Sequence, residues 1–167
     1  MVLIALFTNF ENMASQQKKH GLVYFFYETP VALKERTRLK AFIAGIFKKK
    51  KRAVNTINFI FCSDERILEI NRQYLRHDYY TDIISFELSA PGEPVTGEIY
   101  ISTDRVKDNA KQLGHSFTQE LYRVIFHGIL HFCGYKDKTA ADSRKMRERE
   151  DYYLKQYSAK QQSLTRR

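Results

Sequence analysis

A helix that is apolar almost all the way round cannot rest on a protein surface, and residues Gln119 to Cys133 spell such a helix. Leu121, Val124, Ile125, Ile129 and Leu130 recur at helical spacing, Thr118 opens the run and Gly134 stops it. The rest of the chain must supply the elements that bury it. A length of 167 residues suffices for one domain with a single core.

Those elements can be read in order. Leu22 to Tyr27 is a compact apolar and aromatic run, the signature of a strand. Leu39, Phe42, Ile43, Ile46 and Phe47 mark one face of a helix, which the basic run Lys48 to Arg52 ends. Ile57 to Cys62 reads as a second strand, with Ser63 and Asp64 as caps for a helix through Ile67, Ile70, Tyr74 and Leu75. Thr81 to Leu88 is a third strand, Ser89 to Gly97 a loop and Glu98 to Ser102 a fourth strand. A helix through Val106 and Ala110 ends at Gly114, the buried helix follows, and Thr139 caps a last helix carrying Met146, Glu150, Tyr153 and Tyr157. The order predicts an α+β fold: a small mixed four-stranded sheet packed with about five helices, one domain over residues 20–157. Residues 1–19 are expected to be a flexible extension and 158–167 a flexible basic tail.

Composition narrows the setting. The formal net charge of +9 suits a polyanion such as nucleic acid. Two separated cysteines, Cys62 and Cys133, fit reduced thiols, so a cytoplasmic protein is expected. The apolar start, Met1 to Phe7, is far shorter than a membrane span and lacks a basic flank, so no membrane partner and no leader are expected.

The segment that carries chemistry is His127-Gly-Ile-Leu-His131-Phe-Cys-Gly134-Tyr-Lys-Asp137. Histidines four apart on a helix lie on one side, one turn apart, and can grip one ion. Gly134 lets the chain turn back, so that Asp137 can complete a three-ligand zinc site with one position left open, as in catalytic centres. Zinc peptidases place a Glu directly after the first His as general base; here that residue is Gly128.

The same segment resembles the YbeY family of endoribonucleases, with its H-G-x-L-H-x-x-G-Y-x-H pattern and a trailing helix that matches Met146 and Glu150. Asn71, Tyr74, Asp78, Thr81, Asp82, Ser85 and Phe86 resemble a second family block, and Gly97, Glu98, Ile99 and Ile101 a third. Three positions depart: Asp137 stands for the family's third His, Leu75 for its Arg with Arg76 next door, and Tyr80 for its Pro. The resemblance implies a single-strand-specific, metal-dependent endoribonuclease with one zinc ion and no nucleotide cofactor. It would act on the 16S rRNA precursor at its 3′ end, with the small ribosomal subunit as partner, in ribosome biogenesis and quality control. Arg76 and Lys136 are the catalytic candidates, as cations near the developing phosphate charge. Tyr135 and His77 are candidates for base stacking, with packing and loop contacts as their plainer roles. Loop and strand-edge hydrogen bonding is expected of His115, Asp82, Ser85 and Glu98. Two other classes remain open at this point: a non-catalytic zinc-binding ribosome factor and a zinc hydrolase of another substrate.

Overall fold

A computed structural model of the chain describes residues 22–165; the expected extension over 1–19 lies outside the described residues. Strands β1 (Val23–Tyr27), β2 (Val54–Cys62), β3 (Ile83–Glu87) and β4 (Val95–Ser102) form one sheet in the order β1-β2-β4-β3. The β1–β2 and β2–β4 pairs are parallel, and β3–β4 is antiparallel. Chain economy explains the mixture. A short loop joins β3 to β4, whereas helices intervene between the parallel partners. Helices α1 (Arg36–Lys49), α2 (Asp64–Ile70), α3 (Thr103–Leu113), α4 (Phe117–Phe132) and α5 (Ala140–Thr165) complete the α+β domain. Among the described residues, no helix is long and apolar enough to cross a membrane.

Strand alternation divides the core between the two faces of the sheet. Phe59, Phe61, Ile99 and Ile101 join side chains of α1, α3, α4 and α5 in the larger cluster. Ile60, Cys62, Ile84 and Tyr100 join Ile67 and Ile70 of α2 in the smaller one. Helix α4 lies inside the larger cluster, buried from Glu120 to Phe126 and again from Gly128 to Leu130. Its Phe126 ring packs on Phe42 of α1 at 5.4 Å and Tyr157 of α5 at 5.8 Å.

Several boundaries differ from the sequence reading. Helix α4 starts at Phe117, because Ser116 rather than Thr118 accepts the Gln119 N–H, at 3.2 Å. Strand β4 begins at Val95, paired with Val54, so the preceding loop is shorter. The helix expected to reach Leu75 stops at Ile70; Asn71–Leu75 is a π-turn, closed where the Arg76 N–H meets the Asn71 carbonyl. The segment from 158, expected as a tail, continues α5 as helix to Thr165, with no Pro or Gly after Thr139 to interrupt it.

On the α2 side of the sheet, the Tyr100 hydroxyl donates to Glu98 Oε2 at 2.9 Å. Burial raises the Glu98 pKa, and that hydrogen bond offsets only part of the effect. A carboxyl whose folded pKa is raised weakens the fold once it ionises, as pH climbs through that value, and not below the unfolded pKa. Glu98→Gln is therefore expected to raise the melting temperature at pH 7 and to leave it unchanged at pH 3. A variant that melts lower at pH 7 would overturn this account.

Candidate metal centre

The end of α4 builds the site. Gly134 adopts φ +86°, which glycine tolerates best. The Gly134 N–H bonds to the His131 carbonyl at 2.9 Å and the Tyr135 N–H to Leu130 at 3.0 Å, a Schellman ending. The chain doubles back over the last turn, and Ser143 of α5 secures the return by donating to the Asp137 carbonyl at 2.9 Å. His127 Nε2 and His131 Nε2 lie 2.9 Å apart. Asp137 Oδ2 stands 3.5 Å from the first and 3.3 Å from the second. The three residues, each half-buried, form a cluster whose ligand atoms all lie within 4.8 Å of one another.

The second nitrogen of each ring determines what the cluster can hold. His131 Nδ1 lies 3.0 Å from the Tyr135 carbonyl, which only accepts, so Nδ1 carries the hydrogen. His127 Nδ1 lies 2.8 Å from Glu150 Oε1 and donates to that carboxylate. Each Nε2 then presents a lone pair to the other and to Asp137. One proton on His127 satisfies one such pair; a divalent cation satisfies all three atoms. Burial opposes the charged form of His127, but Glu150, with Asp82 and Asp137, outweighs it and raises the pKa. Burial, then the charge of His127, pushes His131 the other way.

Behind the imidazoles stands a buried polar row that the sequence reading missed. Glu150 is 5% exposed and accepts from Arg123 Nη1 at 3.2 Å; that same nitrogen meets Asp151 at 2.8 Å. Arg123 Nε lies 3.6 Å from Glu120, which pairs with His115 at 3.2 Å. Burial alone would raise the Glu150 pKa, yet its bond to His127 and the Arg123 pair hold it below the usual carboxylate range. Outer partners of this kind orient a ligand ring and increase its basicity. Glu150→Gln is expected to weaken zinc binding by about 10–100-fold in competition with a chromophoric chelator. Affinity equal to wild type would mean that Glu150 serves packing alone.

Two of the three cluster residues, His127 and Asp137, line a cleft of about 450 Å³ whose walls also include Asp82, Asn109, Arg147 and Glu150. Asp82 accepts from Asn109 at 3.1 Å, the hydrogen-bonding role expected of it, while also facing the cleft. Arg76 and Lys136 are exposed and stand outside the lining. Two arginines line the wall, Arg123, already paired with Glu150 and Asp151, and Arg147; the place of Arg147 one turn ahead of Glu150 on α5 was the available signal. The Tyr135 ring lies under Lys50 at 4.7 Å, and burial pushes the half-buried Cys133 thiol up to about 11. A Cβ on Gly128 would sit 3.0 Å from Ile83 and Ile99, so a peptidase-type Glu there would meet the sheet rather than the ion.

The family model described as Endoribonuclease YbeY matches residues 29–158. A relative from Cytophaga hutchinsonii, named Endoribonuclease YbeY, is 48% identical over 138 residues, 81% of this chain and 96% of that one. One of the same name from Flavobacterium psychrophilum is 44% identical, over 84% of this chain and 99% of its own. A solution structure from Thermotoga maritima superposes with a TM-score of 0.58 at 28% identity, covering 84% of this chain and 92% of the other. With the matched segment reaching from before α1 into α5, the chain belongs to the Endoribonuclease YbeY family.

Proposed function

We propose that this chain is a metal-dependent endoribonuclease that cuts single-stranded RNA, with zinc held by His127, His131 and Asp137. The observation that carries the reading is the convergence of three lone-pair-bearing atoms, two with tautomers fixed from behind, at the edge of an open cleft. Membership in a family whose relatives bear the name endoribonuclease supplies the reaction class. Zinc in such a set supplies Lewis acidity toward a phosphodiester and its nucleophile. The chain's own groups do the rest. Glu150 and the Tyr135 carbonyl keep the two Nε2 atoms aimed inward. Arg147, on the cleft wall, offers a cation to the charge that builds on phosphorus-bound oxygen. Lys136, beside Asp137 in the same turn, is assigned to a flanking phosphate, and the +9 chain attracts the polyanion as a whole. As substrate we assign the 16S rRNA precursor near its 3′ end, with ribosome biogenesis and quality control as the setting; family membership is the support for this part.

The test is cleavage. Zinc-loaded full chain is incubated with end-labelled single-stranded RNA and with the matching duplex. The single strand is expected to be cut, the duplex spared, and cleavage lost on chelation and restored by zinc. Intact single strand in every arm would overturn the nuclease reading and favour a metal-binding factor without catalysis.

A further inference from the structure

Large aromatic side chains usually bury their rings, and a flexible loop could fold them inward at small cost. The loop that follows the π-turn does the opposite. Asn71, 1% exposed, clamps it at both ends: its carbonyl accepts from the Arg76 N–H and, at 3.2 Å, from the His77 N–H, and its side chain donates to the Tyr79 carbonyl at 2.8 Å. Arg72 Nε adds a bond to Asp78 at 2.6 Å. Arg76 takes φ 56°, a left-handed conformation that a non-glycine residue keeps only where its surroundings enforce it. On this fixed backbone Tyr79 stays 57% exposed and Tyr80 51%. His77 stacks on Tyr79 with ring centres 5.1 Å apart and planes at 21°, and the Arg105 guanidinium lies 5.5 Å from the centre of Tyr80. The next two residues, Thr81 and Asp82, already line the cleft.

We infer that the segment Arg76–Tyr80 is a stacking ledge for an unpaired RNA base at the mouth of the cleft. The inference rests on the RNA reading above and names the part of the substrate that this surface takes. Aromatic faces interleaved with guanidinium groups match the two needs of a single strand, a platform for the base and a cation for the phosphate. Arg72 and Arg105 are paired with carboxylates, whereas Arg76 has no carboxylate partner among the described residues and is free for phosphate. Tyr and Arg are also enriched at protein interfaces; what favours RNA is that the ledge runs straight into the cleft through Thr81 and Asp82. A base held on Tyr79 lies about 10 Å of chain from Asp82, close enough for the following phosphates to enter the cleft.

The absence of tryptophan from the chain makes the test direct. Tyr79→Trp places a single indole on the ledge, and a single-stranded oligoribonucleotide of about eight nucleotides is added to the full chain under chelator, so that no cutting intervenes. Quenching of the indole is expected with the single strand and not with its duplex. Tyr79→Ala combined with Tyr80→Ala is expected to weaken binding by about 5- to 150-fold at an unchanged melting temperature, and Tyr79→Phe to bind as wild type. Arg76→Ala should lower the salt dependence by about one phosphate contact. Absence of quenching, or a double variant that binds within about twofold of wild type, would overturn the ledge and assign the patch to another partner, a protein surface first. Cleavage is measured separately with zinc. Uncut RNA beside normal quenching condemns the nuclease reading alone, and normal cutting without quenching condemns the ledge alone.

Discussion

Replacing His127 by alanine is expected to abolish zinc retention and RNA cleavage together while leaving RNA binding in place. The variant removes one of three converging donor atoms and leaves His131 Nε2 and Asp137 Oδ2, 3.3 Å apart, as a two-point site. Changing an outer partner of a ligand typically costs 10–100-fold in affinity, so loss of a ligand itself is expected to cost more than about 100-fold. Stability provides an independent readout, because an ion that binds only the folded chain stabilises it in proportion to the logarithm of its saturation. At a free concentration about 100 times the dissociation constant, the gain is about 2.7 kcal/mol. For a chain of this size that is a rise of roughly 5–11 °C in melting temperature, expected in wild type and absent in the variant. Glu150 keeps its bond to Arg123 when the imidazole is gone, which limits collateral damage to the fold. Full zinc occupancy in the purified variant would remove His127 from the centre, and with it the reading of the cluster.

The second large effect concerns how close α4 stands to the sheet. Gly128 neighbours His127, and a Cβ there would lie 3.0 Å from the Cδ1 atoms of Ile83 and Ile99 and 3.2 Å from Ile99 Cγ2. Gly128→Val adds that carbon and two methyl groups beyond it. Overpacking of this kind costs about 1–3 kcal/mol. Leaving glycine in a helix interior returns part of that, about 0.5–1 kcal/mol, though less for a β-branched residue. The balance, about 0.5–2.5 kcal/mol, predicts a melting temperature lower by about 1–10 °C. It also predicts weaker zinc binding, because relief of the clash moves α4 away from β3 and β4 and carries His127 away from Asp137. Gly128→Ala makes only the tight contacts, so the two effects nearly cancel and its melting temperature should stay close to wild type. A valine variant as stable as wild type, with unaltered zinc affinity, would show that contact with the sheet does not set the height of α4.

The sequence determined what depends on near neighbours. Periodicity over a few turns showed that α4 must be buried, the spacing of four put His127 and His131 on one side, and Gly134 marked where the chain returns. It could not show that Asn71 would open a π-turn instead of continuing a helix, since the bond from Asn71 to Tyr79 that holds the loop forms only once the loop has folded back. Nor could it pair Arg123 with Glu150, 27 positions apart, or decide that Arg147 rather than Arg76 or Lys136 would stand on the cleft wall. Helical spacing settles which way a side chain points relative to its own axis. What waits on the far side of the gap, and so which nitrogen of His127 is left to face an ion, is settled only when α5 packs against α4 and brings Glu150 to the other one.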